Sequence, residues 1–243
     1  MIGPLLLTVS WILLRLEGKG LDALGLDAPV LRMRQFGAGF LVAGLAVVVQ
    51  QLGHAAVADV PWRLNPAADA ALLIRSVRWN VNSVLYEELL FRGYLLYQAI
   101  RLLGARRAVL LDAAVFGIYH WFSYGIVGNP VMMAFVFLLT GAFGFMLAQA
   151  FARTTSIALP IGLHLGWNVV SYVGFSTGPI GPGLFVPGNG VARLETTGLP
   201  SLFLDMVLPL TLVAVVCGYL RRVHNGGNTA SSLASRAPMP SVE

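Results

Sequence analysis

Apolar residues along this chain run in blocks instead of alternating with polar ones, and the blocks fall at 2–15, 36–58, 80–103, 107–127, 130–151, 155–175 and 200–220. Most approach the roughly 20 residues needed to cross about 30 Å of hydrocarbon as a helix. The pattern therefore predicts an all-α fold, a polytopic membrane helix bundle with about seven spans. The first block is short and ends in RLEGKG, which leaves a cleaved signal peptide as the alternative, but no small-residue cleavage site follows its apolar core, so it is read as a span. Residues 174–200, GFSTGPIGPGLFVPGNGVARLETTGLP, are rich in Gly and Pro and predict an irregular outer loop able to fold over what lies beneath. The chain divides into N-terminal helices and linker over 1–80, a core over 81–175, the outer loop and last span over 176–222, and a small, polar tail over 223–243 expected to be disordered.

Composition agrees with the blocks. Of 243 residues 57% are hydrophobic and 11% charged, against roughly 25% charged in soluble domains, and the mean hydropathy is +0.75. A net charge of +5 could suggest nucleic acid, but the basic residues stand singly or in pairs between apolar runs and form no aromatic-interleaved stripe. They read as topology signals facing membrane lipid. Arg15, Lys19, Arg32, Arg34, Arg101, Arg106, Arg107, Arg153, Arg221 and Arg222 fall in alternate loops, and Arg63, Arg75, Arg78 and Arg193 in the others. The majority marks the cytoplasmic side, so the N-terminus is expected outside and the C-terminus inside a cell membrane. Cys217 is the single cysteine, which excludes an intrachain disulfide or a thiolate metal cluster.

Against this background LYEELLFRGYLL, residues 85–96, is unexpected, because charges within spans cost roughly 2.5–3.5 kcal/mol each on insertion scales. Glu88 and Arg92 are four apart, acid before base, so they can pair on one helical face. Glu87 lies about 100° round the helix and has no partner in its own span. It needs one from a neighbouring helix, or a proton. An unpaired buried carboxylate suits a general base. In VFGIYHWF, Phe116 and His120 are four apart, so the aromatic ring can orient the imidazole; in IGLHLGWNVV, His164 and Asn168 present a ring nitrogen and a carboxamide from one face.

Peptide-bond hydrolysis needs a base for water, donors for the oxyanion and a proton for the leaving nitrogen. Glu87 with His120 could serve the water, and His164 with Asn168 the oxyanion. A carboxylate with two imidazoles also matches a catalytic zinc site, although no HExxH occurs, so zinc stays open as a cofactor. Other polar residues read as ordinary: His54 as interfacial, Asp112 as close to cytoplasmic water, Asp205 as near the outer end of the last span. Trp121, Tyr124, Trp167 and Tyr172 read as interface anchors or cavity walls, the first being the commoner, and Asn82, Ser83 and Gln98 as groups that could line a cavity but usually bond across helices.

Glu87-Glu88-x-x-x-Arg92, Phe116-x-x-x-His120 and His164-x-x-x-Asn168, in this order over roughly 81–173, resemble the signatures of the CAAX protease and bacteriocin-processing family of intramembrane proteases, also called the Abi family. The resemblance implies core helices enclosing a polar cavity, and an endopeptidase acting on a peptide or membrane-protein substrate. It implies Glu87 as water-activating base with His120, His164 with Asn168 at the oxyanion, and Glu88 with Arg92 in support. Family members are described both as metalloproteases and as metal-free, glutamate-dependent enzymes. A transporter component, or a noncatalytic scaffold that binds membrane peptides, competes with this reading, since intramembrane acids and histidines also build proton relays. The absence of inverted repeats or paired broken helices speaks against the transporter.

Overall fold

The structure, a computed structural model, describes residues 2–176, 179–191, 194 and 196–234, the last eleven as backbone alone. Helices dominate: α1 (Gly3–Leu16), α2 (Pro29–Ala58), α3 (Ala70–Phe91), α4 (Tyr94–Leu103), α5 (Ala105–Ser123), α6 (Pro130–Thr154), α7 (Ala158–Asn168), α8 (Gly198–Leu202) and α9 (Leu208–Ala234). Local chemistry sets several of these starts. Pro29 and Pro130 occupy first-turn positions that need no N–H donor. Asp69 and Asn129 accept from the backbone N–H of Leu72 and Met132 and so cap α3 and α6.

Among the described residues three stretches are long and apolar enough to cross a membrane: Leu21–Ala58, Pro130–Thr154 and Gly198–Val223. The expected seven spans are thus not reproduced as seven long helices. The largest departure is at 80–103, where α3 stops and α4 begins after Arg92 and Gly93. A Cβ on Gly93 would lie 2.2 Å from the Leu89 carbonyl oxygen, so only glycine lets the chain bend so tightly there. Gly104, at φ +77°, ends α4 after ten residues, which at 1.5 Å per residue is about half a membrane's thickness. α1 is also short, at 14 residues. α7 runs on through a π-helical stretch, Val169–Gly174, close to the expected 155–175.

The α1–α2 linker is fixed to α4. Glu17 accepts from Tyr94 Oη at 2.5 Å and pairs with Arg101 at 2.5 Å. Gln98 also donates to Glu17, and Lys19 to Tyr97, so Gln98 belongs to this clamp and not to a cavity. The hydrogen bond from Tyr94 is the largest influence holding the Glu17 carboxyl below its ordinary range.

The outer loop is less irregular than its composition predicts. Phe185–Pro187 forms a strand, β2, antiparallel to β1 (Trp62–Leu64), with Arg63 opposite Val186. The Phe175 ring packs on Trp62 at 5.1 Å and Phe185 at 5.7 Å, anchoring the loop to the α2–α3 connection. At the C-terminal end α9 continues to Ala234, into the stretch expected to be disordered from 223; Arg193 and 235–243 lie outside the described residues.

α2 and α7 approach so closely that their backbones touch. A Cβ on Gly162 would sit 2.2 Å from the Phe36 carbonyl oxygen, and one on Gly166 2.3 Å from that of Phe40. Small residues four apart allow such contact in membranes, where helix association rests on packing. Because His164 lies between these glycines, their contact also sets the depth of the imidazole. Gly162→Ala is expected to cost about 1–3 kcal/mol by overpacking. Unfolding in detergent checks this, and wild-type stability would show that the helices can part freely.

Candidate active site

α3, α5 and α7 bring the polar residues of the three motifs to one place. Glu87 Oε2 stands 3.9 Å from His120 Nε2 and 3.9 Å from His164 Nε2, with its side chain 12% exposed. That oxygen is buried and has no hydrogen-bond partner among the described residues. Asn168, one turn beyond His164, faces the same cavity of about 1180 Å³. Glu87 therefore finds its neighbours on two other helices.

The hydrogen bonds behind these groups decide which ring nitrogen carries a proton. His120 Nδ1 lies 2.8 Å from the Phe116 carbonyl oxygen, which can only accept, so Nδ1–H donates, and in the neutral ring Nε2 then turns a lone pair toward Glu87. Phe116 is buried against His120, with ring centroids 4.5 Å apart. His164 Nδ1 lies 2.7 Å from Glu88 Oε1, which also faces Arg92 Nη1 at 3.4 Å. An oxygen approached by a guanidinium behaves as carboxylate, so His164 Nδ1–H donates to it.

Glu88 and Arg92 are both fully buried, and the remaining contacts of Arg92 explain how a guanidinium survives there. Its Nη2 donates to the Gly144 carbonyl at 3.1 Å, and its Cζ lies 4.1 Å from the Phe116 ring centroid. Nε approaches Asp112 Oδ2 at 3.0 Å, an ion contact whose angle falls outside hydrogen-bond geometry. Gly144 is required on α6, since a Cβ there would stand 2.8 Å from Phe116 Cδ1 and 3.0 Å from Arg92 Nη2.

Several expectations change here. Asp112 is not beside cytoplasmic water; it is 8% exposed and paired with Arg92, because α5 turns it inward on the face that carries Phe116 and His120. His54 does not face outward but is packed within the protein. It is 7% exposed, with Nε2 3.1 Å from Asp205 Oδ1 and Nδ1 3.0 Å from Thr196 Oγ1, and it tethers the outer loop and the approach to α9 onto α2. Tyr124, Trp167 and Tyr172 line the cavity, as do Asn82 and Ser83, whereas Trp121 donates to the Met133 carbonyl. Asp112 shares the four-residue spacing of Phe116 and His120, a signal present in the sequence; the His54–Asp205 contact joins residues too far apart in the chain to be read from spacing.

The donors fit zinc poorly. Bonds of about 2.0–2.2 Å in a tetrahedral site place ligand atoms roughly 3.3 Å apart, and both separations from Glu87 are 3.9 Å. Among the described residues no group of three His, Cys, Asp or Glu forms a metal-ion site.

Residues 69–170 match the family model described as type II CAAX prenyl endopeptidase Rce1-like. This region belongs to the CAAX protease family. The match begins at the cap of α3 and ends in the π-helical stretch after α7, so it takes in all the motif residues and Asp112. No curated protein and no solved structure matches the chain. The match over this region and the three helices long and apolar enough to cross a membrane together support a membrane protein.

Proposed function

We propose that the protein is an intramembrane endopeptidase that hydrolyses a peptide bond of a membrane-associated or peptide substrate, with Glu87 as the base. One observation carries this: a buried carboxylate oxygen without a hydrogen-bond partner among the described residues, 3.9 Å from the Nε2 atoms of two imidazoles. A water bonded at about 2.8 Å to both Glu87 and His120 would subtend close to a right angle, an accessible arrangement.

In this reading Glu87 takes one water proton while His120 Nε2 accepts the other hydrogen bond, and the oxygen attacks the carbonyl carbon. Charge develops on the carbonyl oxygen, which Asn168 and His164 face. As the C–N bond breaks, Glu87 returns its proton to the leaving nitrogen, and the other product forms as a carboxylic acid that gives the second water proton to solvent and leaves as carboxylate. The family supports a CAAX-type substrate, and the cavity's volume accommodates several residues of an extended chain.

The test is cleavage of a quenched-fluorescent prenylated CAAX peptide by purified protein in proteoliposomes, run in ¹⁸O water. Cleavage within the CAAX segment is expected, with one ¹⁸O in the new carboxylate. No cleavage of this peptide or of a panel of unrelated membrane peptides would remove the reading in favour of a scaffold or transporter. A chelator arm, with metal analysis of the same preparation, decides between glutamate-dependent and metal-dependent hydrolysis.

A further inference from the structure

The Glu88 contact creates a problem for His164 in the mechanism above. Its Nδ1–H is committed to Glu88 Oε1 at 2.7 Å, so a neutral ring would turn a lone pair, not a donor, into the cavity. To donate to an oxyanion while keeping Glu88, the ring must hold protons on both nitrogens. Such a ring is a cation, and it needs an anion that Arg92 has not already neutralised.

Glu87, 3.9 Å from Nε2, gives up its charge when it takes the water proton, so the anion that stays throughout is Asp112. Glu88, Arg92 and Asp112 form one buried cluster, linked at 3.4 Å and 3.0 Å, with two carboxylates to one guanidinium. Charge in so dry a setting is stable only when compensated, and His164 is the next titratable group in contact, through Glu88. The groups around that ring are Glu87 and Glu88 from α3, Arg92 after it, His120 and the Phe116 ring from α5, and the Phe143 ring from α6 at 5.7 Å. Asp112 also engages Nε of the guanidinium while Gly144 engages Nη2, which leaves Nη1 turned to Glu88.

We propose that Asp112 is a positioning residue of the hydrolytic site: it fixes Arg92 against Glu88, and its charge lets His164 present Nε2–H to the cavity while Nδ1–H stays on Glu88. This rests on the hydrolytic reading. Asp112 touches no substrate; it acts through Arg92 and Glu88.

The test is ¹⁵N NMR of histidine-labelled protein in nanodiscs at the pH of greatest turnover, with His164 assigned by a His164→Gln variant among four histidines. Both nitrogens of His164 are expected in the protonated range in the wild type. In the nearly isosteric Asp112→Asn protein Nε2 is expected to move to the unprotonated range. The same variant should lose kcat on the order of 10- to 100-fold, the worth of one charge-assisted hydrogen bond, with KM little changed. Asp112→Glu, which keeps the charge, should keep the doubly protonated ring. A singly protonated ring in the wild type overturns the proposal, and so does wild-type kcat in Asp112→Asn. If Asp112→Asn does not accumulate, the wild-type and Asp112→Glu spectra decide. The spectra need no substrate, so their outcome is separable from a failure of the hydrolytic reading itself.

Discussion

Glu87→Gln protein is expected to insert, fold and unfold like the wild type while losing roughly 10²- to 10⁴-fold in kcat, the usual range for removal of a general base. Two features separate activity from stability here. The relevant oxygen of Glu87 has no hydrogen-bond partner among the described residues, so replacing it removes none, and the carboxamide has nearly the same volume. Yet Gln cannot take a proton from water, and its NH₂ would be drawn to the lone pair that His120 directs at this position. Glu88→Gln should behave differently. It also loses activity, but it breaks the contacts to Arg92 and His164 and must lower stability as well. Turnover of the CAAX peptide measured beside detergent unfolding distinguishes the two adjacent acids. Glu87→Gln turnover within a few-fold of wild type would end the glutamate-base mechanism.

How far this site could be read beforehand depended on the range of each contact. Glu88 with Arg92 and Phe116 with His120 are one helical turn apart, and both pairs meet in the structure at 3.4 Å and at a centroid separation of 4.5 Å. Asp112 was within reach of the same rule, being four residues before Phe116, but its partner Arg92 lies on another element and its position near a basic loop suggested water instead. The α3–α4 break was obscured because 80–103 is apolar throughout; the deciding fact is the lack of room for a side chain at Gly93, which hydropathy does not register. The α2–α7 contact is similar. Gly162 and Gly166 are visible as small residues four apart, but the carbonyls that they admit belong to Phe36 and Phe40. His54 with Asp205 is a tertiary contact with no local periodicity to announce it. Motif spacing therefore reaches groups that share a helix, and supporting partners supplied by other helices escape it.

Arg92→Met is expected to be the most destabilising single change in the cluster. Methionine can fill the space along the Phe116 ring, so the loss comes from charge and not from a void. Glu88 would keep His164 alone, Asp112 would face no cation, and the Gly144 carbonyl would lose its donor. Removing one partner of a buried ion pair typically costs about 3–5 kcal/mol, because the other charge remains without compensation. That is a large part of the roughly 5–15 kcal/mol by which ordinary domains are stable. Arg92→Lys should recover only part of the loss, since an ammonium cannot engage two carboxylates and a carbonyl in the directions of a planar fork. The triple variant Arg92→Met, Glu88→Gln, Asp112→Asn removes the charges together, so most of the stability should return while turnover does not, since the cluster that orients His164 is gone. Unfolding in detergent titrated with SDS gives the order: wild type and triple variant close together, Lys between, Met lowest. An Arg92→Met protein as stable as wild type would mean that the two carboxylates are protonated or hydrated in the native state, and that the guanidinium is not what keeps Glu88 against His164.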